Sequence, residues 1–292
     1  MYELIQVGEK TYYIQCPAKM GIYQLNEREV CLIDSGNDKD AGRKIQKILT
    51  ERDWTLQLIL NTHSHADHIG GNQFLQQRCG CPVYAAGIEQ AFIKNPVLEP
   101  SYLYGGFPGK QLRNKFLMAQ PSEVGELAAA TLPAGLEALP LAGHAFAMTG
   151  LKTSDDVWFL ADSLASPAIL EKYHIWVLYD VAGYLATLTK LEQLQGRLFI
   201  PSHAEPAEDI RPLIELNRRK VEEIIALLLD ICRQPAGFDD ILKQVFDRYG
   251  LTLDYNQYVL VGSTLRSYLS YLQDSDSLQP LFADNRLLWQ RC

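Results

Sequence analysis

Histidine is scarce in this 292-residue chain, with only six, and several features that mark large protein classes are missing altogether. No charge-free apolar run approaches the roughly 20 residues needed to cross a bilayer. The nearest, Ile224 to Leu229, is far too short. The opening Met1-Tyr2-Glu3-Leu4 places acidic Glu3 and Glu9 where a secretory signal would carry basic residues and then an apolar stretch, so a cytoplasmic location is expected. The six cysteines show no Cys-x-x-Cys pair, which leaves a zinc ribbon unsupported; Cys79-Gly80-Cys81 reads as two reduced thiols at a turn. Basic excess is absent too. With 27 Lys and Arg against 35 Asp and Glu, the net charge of −8 gives no general attraction to nucleic-acid phosphates. A small-molecule substrate is therefore expected rather than a nucleic acid or a membrane. Neither a Ser-His-Asp nucleophile pattern nor a phosphate-cradling G-x-x-x-x-G-K-[ST] loop is present.

What the chain does have is concentrated in one place. His63-Ser64-His65-Ala66-Asp67-His68 packs three histidines and a carboxylate into six residues. His63 and His65 are two apart on an extended segment, where alternate side chains point the same way, so both can grip one metal. Asp67 and His68 follow at the start of a helix and can face a second metal beside the first. Elsewhere, apolar runs end in polar, metal-competent residues: Leu139 to Leu141 before His144, Val157 to Leu160 before Asp162, and Leu198 to Ile200 before His203. Val30 to Ile33 before Asp34 and Leu56 to Leu60 before His63 follow the same rule. Buried strands of a sheet deliver their carboxyl ends to one rim, so five distant segments can build one pocket.

Helical periodicity covers Asp40 to Glu51, Ala66 to Arg78 and Val181 to Gln195, between the strand-like runs; this predicts sheets covered by helices, an α/β or α+β class. From Asn95 to Pro133 the pattern breaks into irregular Pro-, Gly- and Tyr-rich sequence, expected to form a lid. Beyond Pro206 come three helical stretches, Leu213 to Cys232, Phe238 to Tyr249 and Asp254 to Leu272. A hairpin is then predicted around Asp284-Asn285. Three helices and a hairpin make a winged-helix outline for a small C-terminal helical domain, 207–292. That stretch carries 10 Lys or Arg against 13 Asp or Glu, a net of −3, and its third helix has Arg266 as its only basic residue. Packing or homodimer formation is expected of it rather than duplex recognition.

In this reading His63, His65 and His144 hold the first metal and leave a coordination position open, as catalytic zinc requires. Asp162 bridges, and Asp67, His68 and His203 complete the second site. His174 is the one histidine outside the set. A pair of cations lowers the pKa of bound water toward about 7 and so generates hydroxide, with Asp67 orienting the water or taking its proton. Two divalent ions are expected, zinc first, with iron or manganese also compatible with mixed His and carboxylate donors.

The order of these residues, with Leu32-Ile33-Asp34-Ser35-Gly36, Gly143-His144, Ala161-Asp162 and Ser202-His203, resembles the metallo-β-lactamase superfamily over roughly Gly21 to Pro206. That resemblance implies a four-layer αββα sandwich over residues 1–206, with a dinuclear site at one edge of two sheets. Asp67, His68 and Asp162 resemble the set of the glyoxalase II, lactonase and ribonuclease Z branches. Antibiotic-degrading relatives typically carry a cysteine at the place of Asp162, and the flavo-diiron branch usually a glutamate at that of His65. One departure stands out: many members continue Gly-His-Thr-Pro-Gly, whereas this chain reads Gly143-His144-Ala145-Phe146-Ala147.

The expected activity is metal-dependent hydrolysis of a small thioester, ester or lactone. Tyr102, Tyr104 and Phe107 are candidates to cover an acyl chain, and Arg113 and Lys115 to meet a carboxylate or phosphate. The alternatives are a metal-dependent nuclease, which would need a basic channel, and a non-catalytic metal-binding sensor.

Overall fold

The computed structural model describes residues 2–292 and shows two sheets packed face to face between helical layers. The first sheet opens with a meander, β1 (Glu3–Gln6), β2 (Thr11–Gln15), β3 (Met20–Gln24) and β4 (Glu29–Ile33). It continues in parallel through β5 (Thr55–Leu60), β6 (Val83–Ala85) and β7 (Gly125–Glu126). Between these strands run α1 (Lys39–Glu51), α2 (Ala66–Ile69), α3 (Asn72–Cys79), α4 (Glu89–Lys94) and α5 (Leu98–Tyr104). The second sheet contains β8 (Leu136–Pro140), β9 (Thr149–Thr153), β10 (Val157–Ala165) and β11 (Leu198–His203), in the order β11-β10-β9-β8. Helices α6 (Pro167–Tyr173) and α7 (Val181–Glu192) connect β10 to β11.

Alternation along the strands sorts side chains into three apolar seams. On one face of β4, Val30 and Leu32 meet Ile45 and Leu49 of α1 and Leu75 of α3. On the other, Cys31 and Ile33 meet Leu151 of β9 and Val157 and Phe159 of β10 between the sheets. Trp158 and Leu160 of β10 then face outward against Tyr184, Leu188 and Leu191 of α7. Helix, sheet, sheet, helix is the four-layer order.

The chain continues through α8 (Arg211–Ile231), β12 (Ala236–Gly237), α9 (Phe238–Tyr249), α10 (Tyr255–Asp274) and the hairpin β13 (Leu278–Ala283) and β14 (Arg286–Arg291). These three strands form a small sheet in the order β12-β14-β13, which is the winged-helix succession. Asp284 and Asn285 at the hairpin tip both have positive φ, the conformation a tight two-residue turn demands. Apolar side chains of α8, α9 and α10 belong to the same cluster as β10 and α7. Residues 207–292 thus share a hydrophobic surface with the second sheet. Asn217 of α8 pins that seam, accepting from the backbone of Ala165 at 3.0 Å and donating to its carbonyl at 2.9 Å. Among the described residues, no helix is long and apolar enough to cross a membrane.

Three expectations are corrected. The helix expected over Ala66 to Arg78 is interrupted at Gly70-Gly71, where the chain passes so close to Asn37 that a Cβ on Gly70 would lie 2.2 Å from its backbone. Asp162 does not follow β10 but lies inside it, at an irregularity in the pairing with β11. The segment expected to be irregular, 95–133, contains α5 and a 3-10 turn at Lys110–Leu112, and packs on α10 through Leu103, Leu112, Leu117 and Val259. Its prolines are no obstacle, since Pro100 falls in the first turn of α5, where the backbone N–H needs no helical partner.

The two-sheet seam sets a stability expectation. Replacing Phe159, 3% exposed, by Ala should cost about 3–5 kcal/mol in urea unfolding, whereas Phe282→Ala, at 81% exposure on the hairpin, should stay within about 0.5 kcal/mol. Equal losses from the two substitutions would refute the assignment of the core.

Candidate metal centre

Two backbone devices aim the site residues. Gly143, with φ +119°, lies so close to α7 that a Cβ there would come within 2.3 Å of the Tyr184 backbone nitrogen, so only glycine delivers His144 at this point. Ala161 has φ +50° at the irregularity in β10, an unfavourable conformation for a residue with a Cβ, and it turns Asp162 toward the rim. Loop His63 to His65 is held by Glu89, buried at the start of α4. Its carboxylate accepts from Ser64 N at 2.9 Å, the Ser64 hydroxyl at 2.5 Å and Ala147 N at 2.7 Å. That one side chain ties the first histidine loop to the segment after His144, so the altered residues Ala145 to Ala147 have their own anchor.

All seven predicted ligands converge. His63, His65, His144 and Asp162 offer one donor atom each within 4.8 Å of one another, and so do Asp67, His68 and His203. Asp162 lies between the two sets: Oδ1 is 3.1 Å from His68 Nε2, and Oδ2 is 3.3 Å from His144 Nε2 and 3.2 Å from His203 Nε2. Asp67 Oδ2 is 3.2 Å from His203 Nε2.

Outside the cluster, the ring nitrogens are held in place. His68 Nδ1 lies 2.8 Å from Asp34 Oδ2, and His144 Nδ1 lies 2.8 Å from the Val177 carbonyl oxygen. The Thr62 hydroxyl donates to Asp34 Oδ2 at 2.7 Å, which leaves its oxygen to accept from His63 Nδ1 at 3.0 Å. Asp34 therefore orients two rings, one directly and one through Thr62. Each of these three histidines then turns an Nε2 lone pair inward.

The donor set fits cations on two counts. First, His63 Nε2, His68 Nε2 and Asp162 Oδ1 are buried with no partner in hydrogen-bonding geometry, a costly state for atoms that have only each other. Second, Asp34, Asp67, Glu89, Glu99 and Asp162 crowd this rim, and among the described residues none makes an ion pair with Lys or Arg. Protons cannot resolve the array evenly. Burial drives His63 well below its ordinary value, and burial with His144 pushes His65 down to about 3. Burial opposes charge on His68 and His203 as well, but Asp162 and Asp67 outweigh it; His68 stands well above its usual value and His203 rises to about 10. Positive charge is wanted at the centre, and two of the five rings, His63 and His65, resist carrying it as protons.

The sequence pattern of the metallo-beta-lactamase superfamily matches residues 15–203. The chain belongs to this superfamily. Its fold agrees over nearly the whole length with a beta-lactamase domain protein from Burkholderia ambifaria, at TM-score 0.73 and 17% identity, covering 99% of this chain and 94% of the other. It agrees equally with a metallo-beta-lactamase family protein from Thermus thermophilus, at TM-score 0.70 and 20% identity, covering 100% and 98%. Sequence similarity is more local. Hydroxyacylglutathione hydrolase GloC of Haemophilus influenzae is 31% identical over 80 residues, which is 27% of this chain and 36% of that protein. A hydroxyacylglutathione hydrolase of Rhodobacter capsulatus is 42% identical over 52 residues, 18% of this chain and 20% of that protein. The chain thus matches about a third or less of the length of these curated relatives. A metal-binding His/Asp cluster is what members of the superfamily, generally hydrolases, use.

The five predicted substrate contacts do not stay together. Tyr102 reaches the segment after His144: its ring meets Phe146 at 5.2 Å and Phe92 at 6.4 Å, and its hydroxyl accepts from Ser263 of α10. Tyr104 packs on Tyr255, Phe107 is 75% exposed with Arg113 stacked over it, and Lys115 pairs with Asp38 at 3.1 Å. A cleft of about 740 Å³ between α5, α7 and α10 is lined by Tyr102, Tyr179, Ser263 and Arg266. His174 stands apart, stacked on Tyr249 at 4.4 Å.

Sequence reasoning missed Glu89, Glu99 and Trp176. Trp176 stacks on His144 at 5.2 Å and meets the edge of His203 at 5.6 Å. Glu99 of α5 places Oε1 3.5 Å from His65 Nε2. A lone acid on a short helix carries no signal that distinguishes it from a solvated one. Asp34 did carry one, at the end of an apolar run.

Elemental analysis should find metal in the parent protein and much less in His65→Ala and Asp162→Asn. Asp34→Asn should keep the fold and weaken metal affinity about 10- to 100-fold in a chelator competition. Stripping the metal should lower the melting temperature of the parent, since a ligand of the folded state stabilises it. Parent-level metal in both His65→Ala and Asp162→Asn would refute the assignment.

Proposed function

We propose that the chain is a dinuclear metal-dependent hydrolase acting on a small thioester, with esters and lactones as the neighbouring substrate classes. The observation that carries this reading is the pair of donor sets meeting at Asp162, whose Oδ1 lies 3.1 Å from His68 Nε2 while its Oδ2 lies 3.3 Å from His144 Nε2 and 3.2 Å from His203 Nε2. Zinc is the first candidate ion, since imidazole and carboxylate oxygen are both within its donor range. Divalent ions held there supply Lewis acidity to an acyl oxygen and lower the pKa of water from about 15.7 toward about 7.

The protein's own groups divide the remaining work. His63, His65 and His144 would hold one ion, and Asp67, His68 and His203 the other, with Asp162 shared. Asp67 is the carboxylate that reaches solvent: its side chain is 40% exposed against 3% for Asp162. It is therefore the group placed to orient a water molecule and accept its proton. Trp176 closes the site behind His144 and His203 and keeps bulk water from those rings. Phe92, Tyr102, Phe146 and Tyr179 make an aromatic wall beside His144, apolar enough for an acyl group. The other end of a thioester has room in the cleft bordered by Tyr102 and Arg266. Partial similarity to two hydroxyacylglutathione hydrolases supports the thioester class among these carbonyl substrates.

Protein loaded separately with zinc, iron(II) and manganese(II) should release thiol from acyl and hydroxyacyl thioesters faster than it cleaves a phosphodiester. At saturating metal, Asp67→Asn should lower kcat about 10²- to 10⁴-fold. No turnover of any thioester, ester or lactone by fully loaded protein would overturn the proposal, as would preferential cleavage of the phosphodiester.

A further inference from the structure

His65 is turned the opposite way from its neighbours. His63, His68 and His144 anchor Nδ1 outside the cluster and turn Nε2 inward. His65 instead presents Nδ1, which lies 3.0 Å from His144 Nε2, and sends Nε2 out toward α5. A neutral imidazole has one N–H, so an Nδ1 lone pair directed at a cation requires the hydrogen on Nε2. That hydrogen needs an acceptor, as the Nδ1 hydrogens of the other three rings do.

Glu99 is the acid that approaches this Nε2. Its Oε1 is 3.5 Å from His65 Nε2, the residue is only 7% exposed, and among the described residues it has no Lys or Arg partner. A buried carboxylate without such a partner is costly unless another donor serves it. Its position is set from behind: Leu103, one turn further along α5, is buried with Leu112 and Leu117 of the 95–133 segment and Val259 of α10. The helix therefore carries the carboxylate to the histidine as part of a packed unit.

We propose that Glu99 is a positioning residue: it accepts the Nε2 hydrogen of His65 and so presents Nδ1 to the first metal cage. The segment 95–133 then acts on the metal centre through one side chain, in addition to whatever it contributes to substrate binding. This inference rests on the two-cage reading and not on the identity of the substrate.

The test uses the full chain, with Glu99→Leu and Glu99→Gln compared to the parent. Zinc affinity is read by competition with a fluorescent chelator, and the His65 ring by its Nε2–H proton resonance in the zinc-loaded protein. Glu99→Leu should lose about 10- to 100-fold in affinity for one zinc equivalent, the size of effect found when such outer partners are removed. Its Nε2–H resonance should be lost to exchange with water. Glu99→Gln keeps an acceptor oxygen without the charge and should fall between, with the resonance retained but moved upfield. Thermal unfolding in excess chelator checks that both variants fold. Parent-level zinc affinity and an unmoved resonance in Glu99→Gln overturn the proposal, and that variant decides the matter if Glu99→Leu does not fold. Both readouts are independent of thioester turnover, so failure of the proposed activity and failure of this role are separable.

Discussion

Compensation of buried negative charge is the constraint around which this molecule is arranged. An ionised carboxylate removed from water is costly unless hydrogen-bond donors or cations replace the water. Here the acids divide into two kinds. Glu89 and Asp34 take fixed donors, the amides and hydroxyls of Ser64, Ala147 and Thr62, and lock loops together, with His68 Nδ1 a further partner of Asp34. Asp162 and Glu99 face imidazoles instead, and Asp67, though more open, does the same. Imidazoles can offer either protons or lone pairs, so this second group is adaptable where the first is not. The fixed acids hold the scaffold, and the adaptable ones define where a cation goes.

Such a cluster needs rigid supports, because seven side chains from distant segments must agree to within a fraction of an ångström. The sandwich provides them. β4, β10 and β11 are each buried along most of their length, and the backbone just past β4 and inside β10 is held in conformations that cost energy in isolation. Asp34 and Ala161 both have positive φ beside residues of the centre, and neither is glycine. Strain of this kind survives only where surrounding packing over-determines the backbone. Phe159 on the inner face of β10 and Leu160 on the outer supply that packing within two residues of Ala161. Stability of the two-sheet core and geometry of the site are thus one property seen at two points on a strand.

Much of this could be read in the chain itself. All seven cluster residues announced themselves, because histidines are rare here and five of the six follow or close apolar runs. The helices from α7 onward were legible within a few residues, as long amphipathic stretches are. The opening meander was not: Thr11 to Ile14 are buried on both faces, so no alternation marks β2 as a strand. Nor could the need for glycine at position 70 be seen, since it answers to the approach of Asn37, a contact 33 positions away. Segment 95–133 misled for a related reason. Its proline, glycine and tyrosine content resembles a loop, while its order comes from α10, more than 130 residues further on.

That last contrast bears on how the two parts of the chain can vary. The superfamily pattern ends at residue 203, at the final cluster histidine, yet the fold matches from Burkholderia ambifaria and Thermus thermophilus run through α8 to β14 at 20% identity or less. Metal chemistry constrains identity: an imidazole cannot be exchanged for another group of similar size. The layer beyond β11 is constrained by apolar volume and helical period, which many sequences satisfy equally. The family pattern thus ends where the last donor atom is supplied, and structural similarity persists beyond it, where only packing is needed. Tyr102 and Ser263 meet across the boundary between those regimes, at the seam of α5 and α10. A seam free to change its side chains while keeping its shape, one residue layer from a fixed reactive centre, is where members of one fold can diverge in what they accept.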